Sequence, residues 1–196
     1  MGAYDVREYS FSGPDWLGTL RFDINAKFPP SDSAQEPKER QVARRLMMQN
    51  LLAERFKLTA HRETKMLSGY ALVAGKKGPR LTPSERKDGT SISTGNSRLD
   101  GYGMSMANLA NTLANQLRGP VADMTGLDGK YDIKLEWSLD DAKAGGGDGG
   151  DGKSAPDLRP SIFTALQETL GLKLETRKIP VEILVVDHVE RTPTEN

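Results

Sequence analysis

Polar and apolar residues alternate along several stretches of the chain, and this period of two is typical of half-buried β-strands. From Phe56 onward, for example, Phe56, Leu58 and Ala60 share one side and polar residues share the other. Dense runs of apolar or β-branched residues also predict strands. The two patterns together predict strands at residues 21–28, 56–63, 69–74, 98–104, 131–137, 172–176 and 181–189, with a further short strand beginning at Val121.

Three other segments repeat apolar residues at intervals of three and four, which places those residues on one face of a helix. In the first segment, residues 34–55, that face carries Val42, Leu46 and Ala53, and we expect a helix there. The same spacing predicts a second and a third helix at residues 106–117 and 162–170.

Local signals indicate where the second and third helices begin and end. Ser105 and Ser161 stand directly before the apolar repeats, where a serine side chain can cap the first turn by accepting a backbone N–H. Gly171 follows the third repeat, at the position where helices often end in a left-handed residue. We therefore expect these three residues to bound the two helices.

The order helix, strand, turn, strand occurs three times along the chain. Residues 56–58 (FKL) match residues 172–174 (LKL), and residues 70–73 (YALV) match residues 182–185 (EILV). The segment 105–137 has the same order of elements, so the chain contains an internal repeat. We predict an α+β fold of three helix–strand–strand units, with a mostly antiparallel sheet and the helices packed on one face.

Two stretches rich in glycine and polar residues separate the predicted elements. Residues 76–97 read as an exposed linker loop between a first half, 1–75, and a second half, 98–196, with one compact domain as the alternative. Residues 140–157 contain a glycine and aspartate run that cannot bury enough apolar surface to offset the entropy of ordering it. We expect that loop to be flexible.

Composition excludes several classes of protein. Lys plus Arg and Asp plus Glu both total 27, so net charge gives no support for a nucleic-acid partner. The chain has no cysteine, which excludes disulfides, cysteine-ligated zinc, iron–sulfur clusters and thiol nucleophiles. The longest apolar runs, such as residues 183–186, are far shorter than the roughly 18 residues that span a bilayer. We expect no transmembrane segment.

The two histidines are the only imidazole bases that the chain can offer near neutral pH. His61 lies on the polar side of a predicted strand, and His188 follows Asp187 in another. If the repeat places the first and third hairpins side by side, the two histidines would share a site. A surface or hydrogen-bonding role is the favoured alternative for each of them.

Ser105 is a candidate nucleophile because the segment from Gly103 to Ala107 resembles a degenerate nucleophile elbow between a strand and a helix. With His188, and with Asp187 or another acid, it would complete a hydrolase triad. Two features favour the simpler role of helix cap instead: Ala107 stands where the elbow has glycine, and the parallel β/α pattern of that hydrolase fold is absent.

Binding motifs for metals, cofactors or phosphate are weak throughout. The loop carboxylates could ligate Ca²⁺, but a solvated linker is the favoured interpretation of Asp140, Asp141, Asp148 and Asp151. Residues 36–65 carry a local excess of four positive charges, which a solvent-facing surface explains best. The segment 75–78 (GKKG) lacks the spacing of a nucleotide-binding loop. We therefore predict no cofactor and no metal.

Five phrases in the same order resemble one protein family: SGPDWL at 12–17, LLAERFKL at 51–58, D-x-TGL-x-G-x-YD at 123–132, FTALQE at 163–168 and V-x-DHVE at 185–190. That family is a soil-associated group of uncharacterised exported proteins expanded in Acidobacteria. The resemblance implies a periplasmic or secreted location, although residues 1–10 lack the apolar stretch of a signal peptide. A weaker similarity to the short N-terminal domains of secretins and TonB-dependent receptors implies a protein-contact module.

Two functions therefore stand beside each other. The leading hypothesis is a non-catalytic protein-interaction module of the cell envelope or the secreted fraction, which would use exposed sheet edges. The alternative is a small esterase-like hydrolase that uses Ser105 with His188. Whether the chain is an enzyme, which protein partner or small-molecule substrate it takes, and its oligomeric state stay open.

Overall fold

The computed structural model describes residues 3–25, 37–86, 88–95, 97–138 and 159–194. Three α-helices lie in these residues: α1 (Pro37–Phe56), α2 (Met106–Gln116) and α3 (Ile162–Ala165). A π-helical turn, Leu166–Leu170, continues α3. Two short 3₁₀ segments, Glu8–Ser10 and Asp15–Gly18, precede α1.

Eight strands form two four-stranded sheets in the described residues. The strands are β1 (Phe11–Ser12), β2 (Thr59–Ala74), β3 (Thr82–Pro83), β4 (Ser91–Gly95), β5 (Arg98–Met104), β6 (Val121–Asp123), β7 (Tyr131–Glu136) and β8 (Leu172–His188). The first sheet has the order β1-β8-β2-β6, and its β1–β8 and β2–β6 pairs are parallel. The second sheet, β3-β7-β5-β4, is antiparallel throughout. The α+β class is therefore confirmed.

The chain divides into two compact units. One unit joins Met1–Lys65 with Pro180–Asn196, and the other is Met66–Ile179. We call them the terminal unit and the central unit.

The central unit contains the larger apolar core. Leucines, isoleucines and methionines from β2, β5, β7, α2, α3 and β8 pack there with almost no exposure to solvent. Leu109 and Leu113 of α2 face this core, as helical spacing predicts. The second sheet and α2 therefore pack against this core, which fixes the backbone positions from which their outward-facing side chains extend.

The terminal unit buries less apolar surface. Phe56, Ile183 and Leu184 are buried, and the ring of Phe22 packs edge-on against Phe56 at 4.9 Å between centroids. An apolar cavity of about 260 Å³ lies beside them, with Trp16 in its wall.

The first predicted hairpin is wrong, because β2 runs unbroken from Thr59 to Ala74. Gly69 stands inside this strand. A Cβ at that position would lie 2.4 Å from the carbonyl oxygen of Pro120, and the N–H of Tyr70 donates to that oxygen at 2.9 Å. The glycine therefore allows close approach of a neighbouring segment and makes no turn.

The third predicted hairpin is also a single strand, β8, which includes Ile179 and Pro180. A proline disfavours helical backbone in the residue before it and favours extended backbone, so the pair fits within a strand. In the middle segment, β6 and β7 belong to different sheets and form no hairpin. The arrangement of three helix–strand–strand units is therefore not found.

Two local expectations also fail. Residues 21–25 form no strand, and residues 26–28 lie outside the described residues. The predicted loop at 76–97 contains β3 and β4. In α1 the helix is confirmed from Pro37, and Val42 and Leu46 on its apolar face are 56% and 53% exposed. Helical spacing shows which residues share a face and does not show what covers that face.

The predicted ends of the other helices are confirmed. The Ser105 side chain caps α2, the Ser161 side chain caps α3, and Gly171 has the left-handed φ of 65° that ends the π-helical turn. The strand at 98–104 is also confirmed. The expectation of flexibility at 140–157 falls outside the described residues.

Candidate functional site

His61 and Asp187 meet in the terminal unit. His61 Nδ1 lies 2.8 Å from Asp187 Oδ1, and their side chains are 51% and 46% exposed. The pair joins β2 to β8, beside an ion pair between Arg62 and Glu182. A carboxylate at this distance orients the imidazole ring, which is the arrangement that supports a general base. Because both groups are solvated, they are equally suited to an ordinary surface contact.

His188 ends β8 and is exposed. Within the part of the chain that the structure describes, its ring forms no hydrogen bond and no ion pair. The structure therefore pairs Asp187 with His61 rather than with its sequence neighbour.

Ser105 serves as the cap of α2. Its Oγ accepts the N–H of Asn108 at 3.2 Å and donates to Asn108 Oδ1 at 2.8 Å. Ser105 belongs to the central unit, whereas Asp187 and His188 belong to the terminal unit. The triad of Ser105, Asp187 and His188 stays a prediction.

A groove lies between β4 and the outer face of α2 in the central unit. Its volume is about 400 Å³, and its lining consists of Ile92, Thr94, Asn108, Asn111, Thr112, Asn115 and Gln116. All five residues of β4 are exposed. β4 ends its sheet, and none of the described strands pairs with its other edge. The groove is therefore lined by Ile92 and Thr94 of β4 on one side and by a row of amide side chains of α2 on the other.

Polar contacts hold the start of β4 in place. Thr90 Oγ1 donates to the carbonyl oxygen of Gly103 at 2.9 Å, and the Gly103 N–H donates to Asp132 Oδ1 at 3.0 Å. Two hydrogen bonds lower the pKa of the Asp132 carboxyl: the larger effect comes from the Ser84 hydroxyl and the smaller from the Gly103 N–H. Along its length, β4 pairs with β5 from Ser91 to Gly95. β5 therefore anchors one edge of β4, and no strand of the described residues pairs with the other edge.

The amide row on α2 is the feature that sequence analysis missed. Asn108, Asn111 and Asn115 are spaced three and four residues apart, so they fall on one face of the helix. Asparagine is a poor helix former; Asn108 takes part in the α2 cap, whereas the intrinsic preferences of Asn111 and Asn115 do not favour the helix. That spacing was the sequence signal for this row of amides.

The described residues hold no group of three or more metal-ligating side chains. The loop carboxylates Asp140, Asp141, Asp148 and Asp151 lie outside them. No described helix is long and apolar enough to span a membrane.

Comparison with known proteins gives one match. A family model described as "Protein of unknown function (DUF3738)" matches residues 1–189. No curated protein and no solved structure matches the chain.

Proposed function

The chain belongs to the DUF3738 family, and we propose that it is a protein-interaction module that binds an extended segment of a partner in the groove between β4 and α2. The observation that carries this proposal is the open edge of β4 beside the amide face of α2. Resemblance to exported proteins supports a place in the envelope or the secreted fraction.

The open edge of β4 supplies the main binding groups. An unpaired strand edge presents backbone N–H and C=O groups in a row, and an added strand satisfies them by extending the sheet. β1, β3 and β6, the other strands at sheet ends, have two or three residues, whereas β4 has five. It is therefore the longest of the four strands that end the two sheets.

The lining of the groove defines the chemistry of the partner. Amide side chains both donate and accept hydrogen bonds, so Asn115 can contact the backbone or polar side chains of an extended peptide. Ile92 is 43% exposed and adds one apolar contact. No charged side chain lines this groove among the described residues. The expected partner is an extended, uncharged and mostly polar segment.

Proline scanning of β4 tests the proposal. A library of random ten-residue peptides is displayed and selected against the wild-type chain, and the affinity of the selected peptides is measured. Successive N–H groups of a strand point to opposite edges, and proline has no N–H. One of the two variants Ser93→Pro and Thr94→Pro therefore removes a donor from the open edge of β4. The other variant removes a donor that faces β5. We expect the variant that keeps wild-type urea stability to bind at least about tenfold more weakly, the loss of roughly one or two backbone hydrogen bonds.

A matched pair of asparagine substitutions tests the other wall. Asn115→Ala removes an amide from the groove, and Asn50→Ala removes an exposed amide from α1. Weaker peptide binding in Asn115→Ala alone supports the groove. Selection of no peptide, or of peptides that bind every folded variant equally, contradicts the proposal. If the chain self-associates and the same proline variant abolishes this, the partner of the groove is a second copy of this chain and not a peptide.

A small hydrolase using Ser105 with His188 is the second candidate. The observation that favours catalysis is that Asp187 orients a histidine, although that histidine is His61 and not His188. Its test begins with Ser105→Ala, which we expect to lower the free energy of unfolding by about 1 kcal/mol because it removes the α2 cap, while Ser105→Gly costs only a few tenths. Urea unfolding checks both values.

The two serine variants also separate folding from catalysis, because Ser105→Gly removes the hydroxyl while keeping most of the stability. Turnover of nitrophenyl esters is measured for both, and for His61→Gln and His188→Gln. Wild-type turnover that Ser105→Gly abolishes would establish the hydrolase. Turnover unchanged in all four variants, or absent in the wild type, rejects this site for those esters.

A further inference from the structure

A second concave site lies in the central unit, apart from the groove residues. The turn after β2 and the start of β8 border a cavity of about 610 Å³, together with the π-helical turn after α3. Its lining consists of Gly75, Lys76, Lys77, Arg80, Gln167, Glu168, Gly171 and Lys173. We call it the basic cleft. None of these residues lines the β4–α2 groove.

The basic cleft carries an excess of positive charge. Four of its side chains are cations and one, Glu168, is a carboxylate. Lys76 and Lys77 are exposed, and no described carboxylate forms an ion pair with either of them. Lys173 Nζ lies 3.5 Å from Glu175, but that carboxylate also pairs with Arg177 at 2.9 Å. The lysine charges are therefore largely uncompensated.

Arg80 is positioned without being neutralised. Its Nη1 donates to the backbone carbonyl oxygen of Glu168 at 3.3 Å, so a neutral group holds the guanidinium. Its N–H donates to the carbonyl oxygen of Leu170 at 2.7 Å, which fixes the backbone at the same place. The remaining guanidinium donors can serve an anion in a planar, two-pronged contact.

Close backbone contacts shape the cleft before any ligand arrives. The N–H of Gly75 donates to the carbonyl oxygen of Gly171 at 2.8 Å, and the N–H of Gly78 donates to Gly75 at 2.9 Å. The turn that carries Lys76 and Lys77 is thereby joined to the end of the π-helical turn. A preformed site loses less conformational entropy on binding than one that must be ordered by its ligand.

We propose that the basic cleft binds a compact ligand carrying two neighbouring phosphate groups. A phosphate monoester brings about 1.5 to 2 negative charges and a diester brings about one, so two groups supply roughly two to four negative charges against the four cations and one carboxylate. The concave shape and the zero net charge of the chain favour a compact anion over a nucleic-acid strand. The ligand is either free in solution or part of a lipid headgroup with two phosphates.

Calorimetric titration of the full chain with pyrophosphate at low salt tests this site. Lys76→Gln/Lys77→Gln is compared with Lys134→Gln/Lys178→Gln, which removes the same charge from two exposed positions of the central unit outside the cleft. We expect the first pair to weaken binding by at least about tenfold and the second by less than about threefold, because charge interactions weaken with distance and screening. Lys173→Gln should also weaken binding.

Three results would overturn the proposal. The first is that both double variants weaken pyrophosphate binding equally, and the second is that Lys76→Gln/Lys77→Gln leaves the affinity for pyrophosphate unchanged. The third is that the chain binds neither pyrophosphate at millimolar concentration nor lipid vesicles that contain cardiolipin. Vesicles of phosphatidylcholine with cardiolipin, whose headgroup carries two phosphates, separate the two sources of ligand. Binding to these vesicles but not to pyrophosphate, lost in Lys76→Gln/Lys77→Gln, supports the site and assigns a lipid headgroup. Since peptide binding at β4 uses other residues, failure here leaves the proposed function standing.

Discussion

Replacing Leu72 with alanine should lower the free energy of unfolding by about 2–5 kcal/mol, the usual cost of truncating a fully buried leucine. Leu72 lies in β2 with 0% exposure, inside the core of the central unit. Its backbone pairs with Asp123 of β6, and its carbonyl oxygen accepts the N–H of Met124 at 2.9 Å. Because backbone bonds hold the strand on that side, the core can collapse only partly into the space that the side chain leaves.

Met66→Ala is the matched control for this prediction. Met66 lies in the same strand and is 58% exposed, so its truncation should change stability by no more than about 0.5 kcal/mol. Urea unfolding followed by tryptophan fluorescence measures both variants, and Trp137 of the same core supplies a local signal. Equal effects of the two substitutions would show that Leu72 does not belong to a packed core.

Sequence patterns predicted the features of this fold that depend on near neighbours. Ser105 caps α2 through the N–H of Asn108, three residues away, and Gly171 ends a turn by its own conformation. Both signals act within one helical turn and can be read from neighbouring residues. The strand at 98–104 was predicted for the same reason, since its alternation is local.

Features that depend on distant residues could not be predicted in this way. A break was predicted between strands at 56–63 and 69–74, but Gly69 lies against Pro120 and β2 continues as one strand. β4 has no apolar alternation, and it is a strand because β5 pairs with it. The exposure of Val42 in α1 also depends on what packs against the helix, which its spacing does not encode.

The candidate sites divide along the same line. The amide spacing on α2 is local, so it was available in the sequence, but it matters only beside an open strand edge. The contact between His61 and Asp187 joins residues 126 positions apart, and the repeat only suggested that their strands are neighbours. Lys76, Lys77 and Lys173 meet in the basic cleft because Gly75 bonds to Gly171, a contact that no pattern indicates.

Gly171→Ala is the second prediction with a large expected effect, and two independent costs combine in it. Gly171 has φ +65°, where an L-residue loses about 1–2 kcal/mol. A Cβ there would also lie 2.2 Å from the carbonyl oxygen of Gly78. That neighbour is backbone and cannot rotate away, so overpacking adds about 1–3 kcal/mol. We expect a total loss of about 2–5 kcal/mol in the free energy of unfolding.

Gly126→Ala separates these two costs. Gly126 has nearly the same φ, +67°, but nothing lies within 4 Å of a Cβ built on it. Its substitution should therefore cost only the backbone strain, about 1–2 kcal/mol, and urea unfolding of both variants gives the steric cost by difference. Equal losses would show that the backbone of Gly78 moves away freely. The turn that carries Lys76 and Lys77 would then be adaptable. A preformed shape of the basic cleft would no longer support phosphate binding.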